Sequence, residues 1–177
     1  MRYLALTLAV VLLAPTVWAK SFQQAYEEAG PGEGYDKLLI LDSNVTYTGG
    51  CGFVQGKKSC VRGNGALVDL ENSQVYISQP ATEALVTGCC FINGASGDAA
   101  IAIQDGATAT IDGNTICKNG ADAIKVWLGS SATIKNNIIY GSIRYGVAAY
   151  QTSYYSCTIL YNDFANTAGN YMYFCPG

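Results

Sequence analysis

The 177-residue sequence contains no histidine, which removes the commonest general base and the commonest transition-metal ligand together. It has no C-x-x-C pair, so neither a zinc ribbon nor thioredoxin-like redox chemistry has a foothold. It has no basic run, and ten Lys/Arg stand against thirteen Asp/Glu for a formal net charge of −3. That balance supplies no electrostatic footprint for a nucleic-acid partner. Helical periodicity is nearly absent past residue 30. Beyond the N-terminus no apolar stretch approaches the roughly 20 residues of a membrane-spanning helix.

What is present begins with an export signal. Arg2 supplies a positive start, Tyr3 to Ala14 form an apolar run, Pro15 breaks it, and Val17-Trp18-Ala19 ends on the small residue that a signal peptidase requires. The run is too short to span a bilayer, so residues 1–19 read as a signal peptide and 20–177 as one domain. The expected address is secreted and extracellular, or periplasmic in a bacterial host. Losing Arg2 with the leader makes the mature chain slightly more acidic. All seven cysteines lie beyond Ala19, and export permits disulfides. An odd count leaves at least one thiol free or paired between molecules. Cys51 and Cys60 flank the loop Gly52 to Ser59 and are the expected disulfide, whereas Cys89 and Cys90 read as stacked core thiols. The sequon at Asn44 lies in an expected surface turn and is a glycosylation site if the host modifies its exports.

A repeat organises the rest. Ala109–Ile116, Ala132–Ile139 and Cys157–Phe164 share the pattern small-Thr-Ile-x-x-Asn-x-apolar, and Ala84–Phe91 is a degenerate earlier copy. Eight residues after Ile116, Ile139 and Phe164 stand Ile124, Val147 and Met172, and two further on Val126, Ala149 and Phe174. This spacing predicts a second strand with alternate side chains inward. A period of about 23–25 residues with three short strands is one coil of a solenoid. The fold class is therefore all-β: a single-stranded right-handed parallel β-helix of about six coils, with internal ladders through Ile111, Ile134 and Ile159 and through Ile116, Ile139 and Phe164. Ser21 with Gln24 forms a capping-box pattern, and Phe22, Ala25, Tyr26 and Ala29 repeat at helical spacing. A short helix is thus expected to cover the N-terminal end of the coil stack, with the aromatic segment Tyr171–Phe174 at the other end.

Phe22–Gly32 followed by Leu38–Leu41 and Tyr47–Gly49 resembles the entry segment of pectate-lyase-like β-helix proteins, and Cys60–Leu70 resembles their second coil. The Asn-x-Ile copies resemble the generic repeats of that superfamily, so the likeness covers nearly all of the mature chain. It implies the fold, not one activity, because such scaffolds host lyases, hydrolases, epimerases, adhesins and inert supports.

The Asn114, Asn137 and Asn162 column reads as scaffolding, since stacked amides bond one another between coils. If Ile124, Val126, Val147, Ala149, Met172 and Phe174 face inward, then Lys125, Trp127, Ala148, Tyr150 and Tyr173 face outward on one sheet. Asp122 and Arg144 lie in the turns before it. Stacked aromatics flanked by charges suit a sugar, whose C–H faces pack on rings while its hydroxyls reach polar groups. Asp122, Trp127, Tyr150 and Tyr173 are the expected contacts to extracellular polysaccharide, with little or no catalysis. The resemblance to lyases offers an alternative, a uronate lyase with Lys125 or Arg144 as base and calcium on Asp98 and Asp122. The acid cluster is thin for an ion that takes 6–8 oxygens, and the Asp grouping with His of related hydrolases is not recognisable. A third face carries Thr108 and Thr110, Ser131 and Thr133, Ser156 and Thr158 in register. That array gives an ice-binding alternative beside a purely structural one, but it fails at Glu83 and Leu85.

The alignment is testable by stability. Ile134→Ala removes apolar contacts on two neighbouring coils and is expected to cost roughly 2–5 kcal/mol. Thr133→Ser, one residue away on the outward side, is expected to cost about 0.5 kcal/mol or less. Denaturant unfolding compares the two, and a larger loss from Thr133→Ser would mean that the facing is one residue out of register.

Overall fold

A computed structural model of the chain describes residues 19–80, 82–150 and 156–173, with only the backbone described for 171–173. The described chain winds through three parallel sheets. Sheet 1 stacks Lys37–Ile40, Lys58–Arg62, Glu83–Thr87, Thr108–Asp112, Ser131–Lys135 and Cys157–Leu160. Sheet 2 stacks Ala19–Ser21, Thr46–Thr48, Leu67–Asp69, Cys90–Ile92, Thr115–Cys117, Ile138–Tyr140 and Asp163–Ala165. Sheet 3 stacks Cys51–Gly52, Val75–Ser78, Ala99–Gln104, Asp122–Val126, Tyr145–Ala149 and Gly169–Tyr173. Each coil visits sheet 1, then sheet 2, then sheet 3, and every strand pairs in parallel with its counterparts one coil away. This is the expected solenoid of about six coils.

The core is built from ladders of like residues. Val86, Ile111, Ile134 and Ile159 align on sheet 1, and Phe91, Ile116, Ile139 and Phe164 on sheet 2. Ile134 has no exposed surface. Between sheets 1 and 2 the chain turns through the asparagines. Asn137 Oδ1 accepts the backbone N–H of Asn114 at 2.9 Å, and its Nδ2 donates to the Ile111 carbonyl at 2.9 Å. Asn114 does the same for Cys89 and Val86, and Asn162 for Asn137 and Ile134. Cys89 continues the column as a buried thiol whose pKa burial pushes up to about 12.

The helix Phe22–Glu28 covers the N-terminal end of the stack. Ser21 caps it by accepting the N–H of Gln24 at 3.3 Å. The reciprocal half of the capping box is not made, because the Gln24 amide donates to Glu28. Phe22, Ala25 and Tyr26 are buried beneath the helix. The Tyr26 ring stacks on Phe53 at 4.7 Å, and its hydroxyl bonds Ser59 at 2.6 Å.

Three sequence expectations are corrected. Cys51 and Cys60 are both free thiols on different sheets, Cys51 on sheet 3 and Cys60 on sheet 1, where burial raises the pKa of each. Sequence proximity across a short loop says nothing about two side chains that belong to different walls of a coil. Cys90 is no core thiol. It follows inward Cys89 by one residue and lies half-exposed on the outer face of sheet 2, as alternation requires. The last coil is one residue shorter than expected between its sheet 2 and sheet 3 strands. Val147 therefore pairs with Tyr171, Ala148 with Met172 and Ala149 with Tyr173, so Tyr173 takes the register of inward Ala149 rather than of the outward column. Gly169 is compatible with this register: it sits against the Tyr145 ring, where a Cβ would come within 2.7 Å of a ring carbon. Residues 1–18 of the expected signal peptide, Phe174 and Cys175 lie outside the described residues.

Asn137→Ala would strand a buried N–H and a buried carbonyl, and is expected to cost about 1–3 kcal/mol in denaturant unfolding. A loss too small to measure would show that the column merely accompanies the turn.

Candidate functional site

On the outer face of sheet 3 the register brings two columns together. Tyr76, Ala102, Lys125 and Ala148 form one. Ser78 and Gln104 begin the other, and the backbone bonds Trp127 N–Ile103 O and Tyr150 N–Val126 O extend it to Trp127 and Tyr150. The expected pairing of Trp127 with Tyr150 on adjacent coils is thus present. Ala148, expected to face solvent, has no exposed surface. A side chain that ends at Cβ does not rise above larger neighbours such as Lys125. Tyr173 does not join the face by register, as described above.

Polar bonds lock the aromatic row. Trp127 Nε1 donates to Gln104 Oε1 at 2.7 Å. Gln104 Nε2 donates in turn to the Tyr76 hydroxyl and, at 2.8 Å, to Asp105 Oδ2. Asp105 also accepts from Ser78 Oγ at 3.0 Å. Lys125 Nζ lies 3.8 Å from the centre of the Trp127 ring and 5.8 Å from that of Tyr150, a cation–π clamp on both. The same ammonium bonds Asp98 Oδ1 at 2.6 Å, with only 14% of the Lys125 side chain exposed.

Beside this clamp Arg144 Nη2 bonds both Asp122 Oδ2 and the Asp98 carbonyl oxygen at 3.0 Å. Asp122 has a fully buried side chain and accepts the Tyr145 N–H at 3.1 Å. Burial raises its pKa, opposed by the Tyr145 N–H and the charges of Arg144 and Lys125. The four predicted charged residues are therefore gathered, but as two ion pairs. Lys125 and Arg144, the candidate bases, are each held by a carboxylate. Asp98 and Asp122, the candidate calcium ligands, are each engaged by a cation. No group of three or more His, Cys, Asp or Glu converges among the described residues. This donor set does not fit a calcium ion, which needs several carboxylate oxygens turned on one point.

Sequence reading missed Tyr76, Ser78, Gln104 and Asp105. The signal was there: Tyr76-x-Ser78, Ala102-x-Gln104 and Lys125-x-Trp127 share one alternation, but the coil at 75–78 lacks the Asn-x-Ile pattern that guided the alignment. Asn44 is exposed in a turn closed by Asp42, whose Oδ1 accepts the Asn44 N–H at 2.9 Å. Among the described residues, no helix is long and apolar enough to cross a membrane.

Three parallel sheets wound coil upon coil, with buried asparagines at one corner, define a parallel β-solenoid. The chain matches the family model described as "right handed beta helix region" over residues 36–176, and it belongs to that family. No curated protein and no solved structure matches it.

Asp122 gives the site a pH signature. Its native pKa lies above the ordinary 3.8, so the folded state holds this proton more tightly than the unfolded chain. The stability of the parent relative to Asp122→Asn is expected to fall as pH rises from about 3.8 through the raised native pKa, then level off. Thermal melts of both proteins across acid pH measure this, and a difference that grows with pH would refute the assignment.

Proposed function

We propose that the protein is exported and contacts an extracellular polysaccharide through the outer face of sheet 3, with little or no catalysis. The observation that supports this reading is the locked row of Tyr76, Gln104 and Trp127 under the Lys125 clamp. Aromatic surface held in place by hydrogen bonds loses little conformational freedom on binding, so more of its contact energy appears as affinity. Tyr150 adds a second ring within reach of the same ammonium. Lys125 and Arg144 stand against Asp98, Asp122 and Asp105, so the face is strongly polar with only a small negative excess, a character suited to hydroxyl-rich chains.

The paired state of Lys125 and Arg144 argues against a lyase. A base must turn a free lone pair on the substrate, and here the head of each candidate is directed at a carboxylate instead.

A glycan array tests the binding. Trp127→Ala is expected to weaken a positive signal by about tenfold or more, the scale of an aromatic anchor, while Thr133→Ser on sheet 1 leaves it unchanged. Binding indifferent to Trp127→Ala would make the face structural. Incubation with pectate and alginate, with and without calcium, is expected to give no absorbance from unsaturated product. Product formation that Lys125→Ala abolishes would replace the binding reading with the lyase.

A further inference from the structure

The outer face of sheet 1 is not flat. At the strand Thr108–Asp112 it holds a depression of about 400 Å³, within the roughly 300–1,000 Å³ of small-ligand sites. Its shape follows from side-chain length. Thr108 and Thr110 are short and lie on the floor with Leu85, while longer side chains stand on either side. On one side Lys58 Nζ lies 3.9 Å from Glu83 Oε2 and 5.4 Å from the centre of the Tyr35 ring. On the other side Lys135 Nζ lies 3.4 Å from Asp112 Oδ2, and Asn136 donates to Asp112 Oδ1 at 2.8 Å. The two rims belong to strand positions four residues apart, about 13 Å at the usual rise.

We propose that this depression binds a short neutral oligosaccharide, at a site distinct from the sheet 3 face. The two ion pairs cancel, so the rims exert no net attraction on a charged polymer. A charged ligand would meet a repelling group beside each attracting one. Polyol hydroxyls meet no such repulsion, and they bond the spare N–H donors of each ammonium and the spare lone pairs of each carboxylate while the pair stays closed. The Thr108 and Thr110 hydroxyls add groups that both donate and accept. Tyr35 and Leu85 offer the apolar surface on which a sugar ring lays its C–H face. Exposed ion pairs contribute little to stability, so the fold itself has small need of these two. The same lining disfavours ice, which requires a flat array of hydroxyls rather than a hollow rimmed by charge. The inference stands on residues that the sheet 3 reading does not use.

Isothermal titration with cellotetraose, mannotetraose and maltotetraose, and with tetragalacturonate as the acidic probe, tests it on the parent protein and three variants. Thr110→Trp fills the hollow from an outward position, and Tyr35→Ala removes one wall without adding bulk; circular dichroism checks that each folds. At least one neutral probe is expected to bind the parent. Both hollow variants should weaken it by about tenfold or more, and Trp127→Ala should leave it unchanged. No neutral binding, preference for tetragalacturonate, or binding indifferent to both hollow variants would overturn the proposal. Neutral binding lost only with Trp127→Ala would also overturn it, and would assign that ligand to sheet 3.

Discussion

At the corner between sheets 1 and 2, the side-chain amides of Asn114, Asn137 and Asn162 each hold the backbone of the coil before them. Asn137 satisfies a donor on Asn114 and an acceptor on Ile111 with the two ends of one side chain. These groups lie where the chain turns and where no strand partner can reach them, and a buried backbone group left unpaired is costly. The amide therefore fixes how one coil sits on the next. Once that offset is set, isoleucine falls on isoleucine inside, and the outward side chains of sheets 1 and 3 fall into columns. Both candidate surfaces are by-products of this stacking: Lys125 reaches Asp98 and Trp127 reaches Gln104 only because their coils are held in register.

The sheet 3 face also depends on burial of charge. Asp122 sits fully enclosed at the start of its strand, with Arg144 reaching in from a neighbouring coil and 44% exposed. Removing such a cation would leave the carboxylate uncompensated in a poorly solvated place. Arg144 thereby also anchors the Asp98 carbonyl, and with it the turn that presents Asp98 to Lys125.

Much of the fold was legible because it repeats. Three copies of the Asn-x-apolar pattern identified the corner, and period-two alternation gave the facing of Lys125, Trp127 and Thr133. What escaped was whatever departs from the average coil. The last turn is shorter by one residue, which moved Tyr171 into the place expected for Met172. Gly169 leaves room for the Tyr145 ring in that register, a steric match that only the fold reveals. Cys51 and Cys60 are close in sequence yet belong to different sheets. The two ion pairs of the site escaped for another reason: Lys125 meets Asp98 across 27 residues, and Arg144 meets Asp122 across 22. A single sequence displays the four charges without their partnership.

The interval between paired strands has a bearing on how the molecule is made. Partners lie between 21 residues apart, at Tyr47 and Val68, and 27 apart, at Ala19 and Thr46. Each pairing thus closes a loop of nearly constant length, and the entropy of closure is nearly the same for each. No strand among the described residues waits for a partner from the far end of the chain. The order in which the ribosome delivers the residues is also an order in which the walls can be laid. A chain that emerges N-terminus first brings the helix Phe22–Glu28 and its first coil out ahead of all others, as a ready template for every turn that follows.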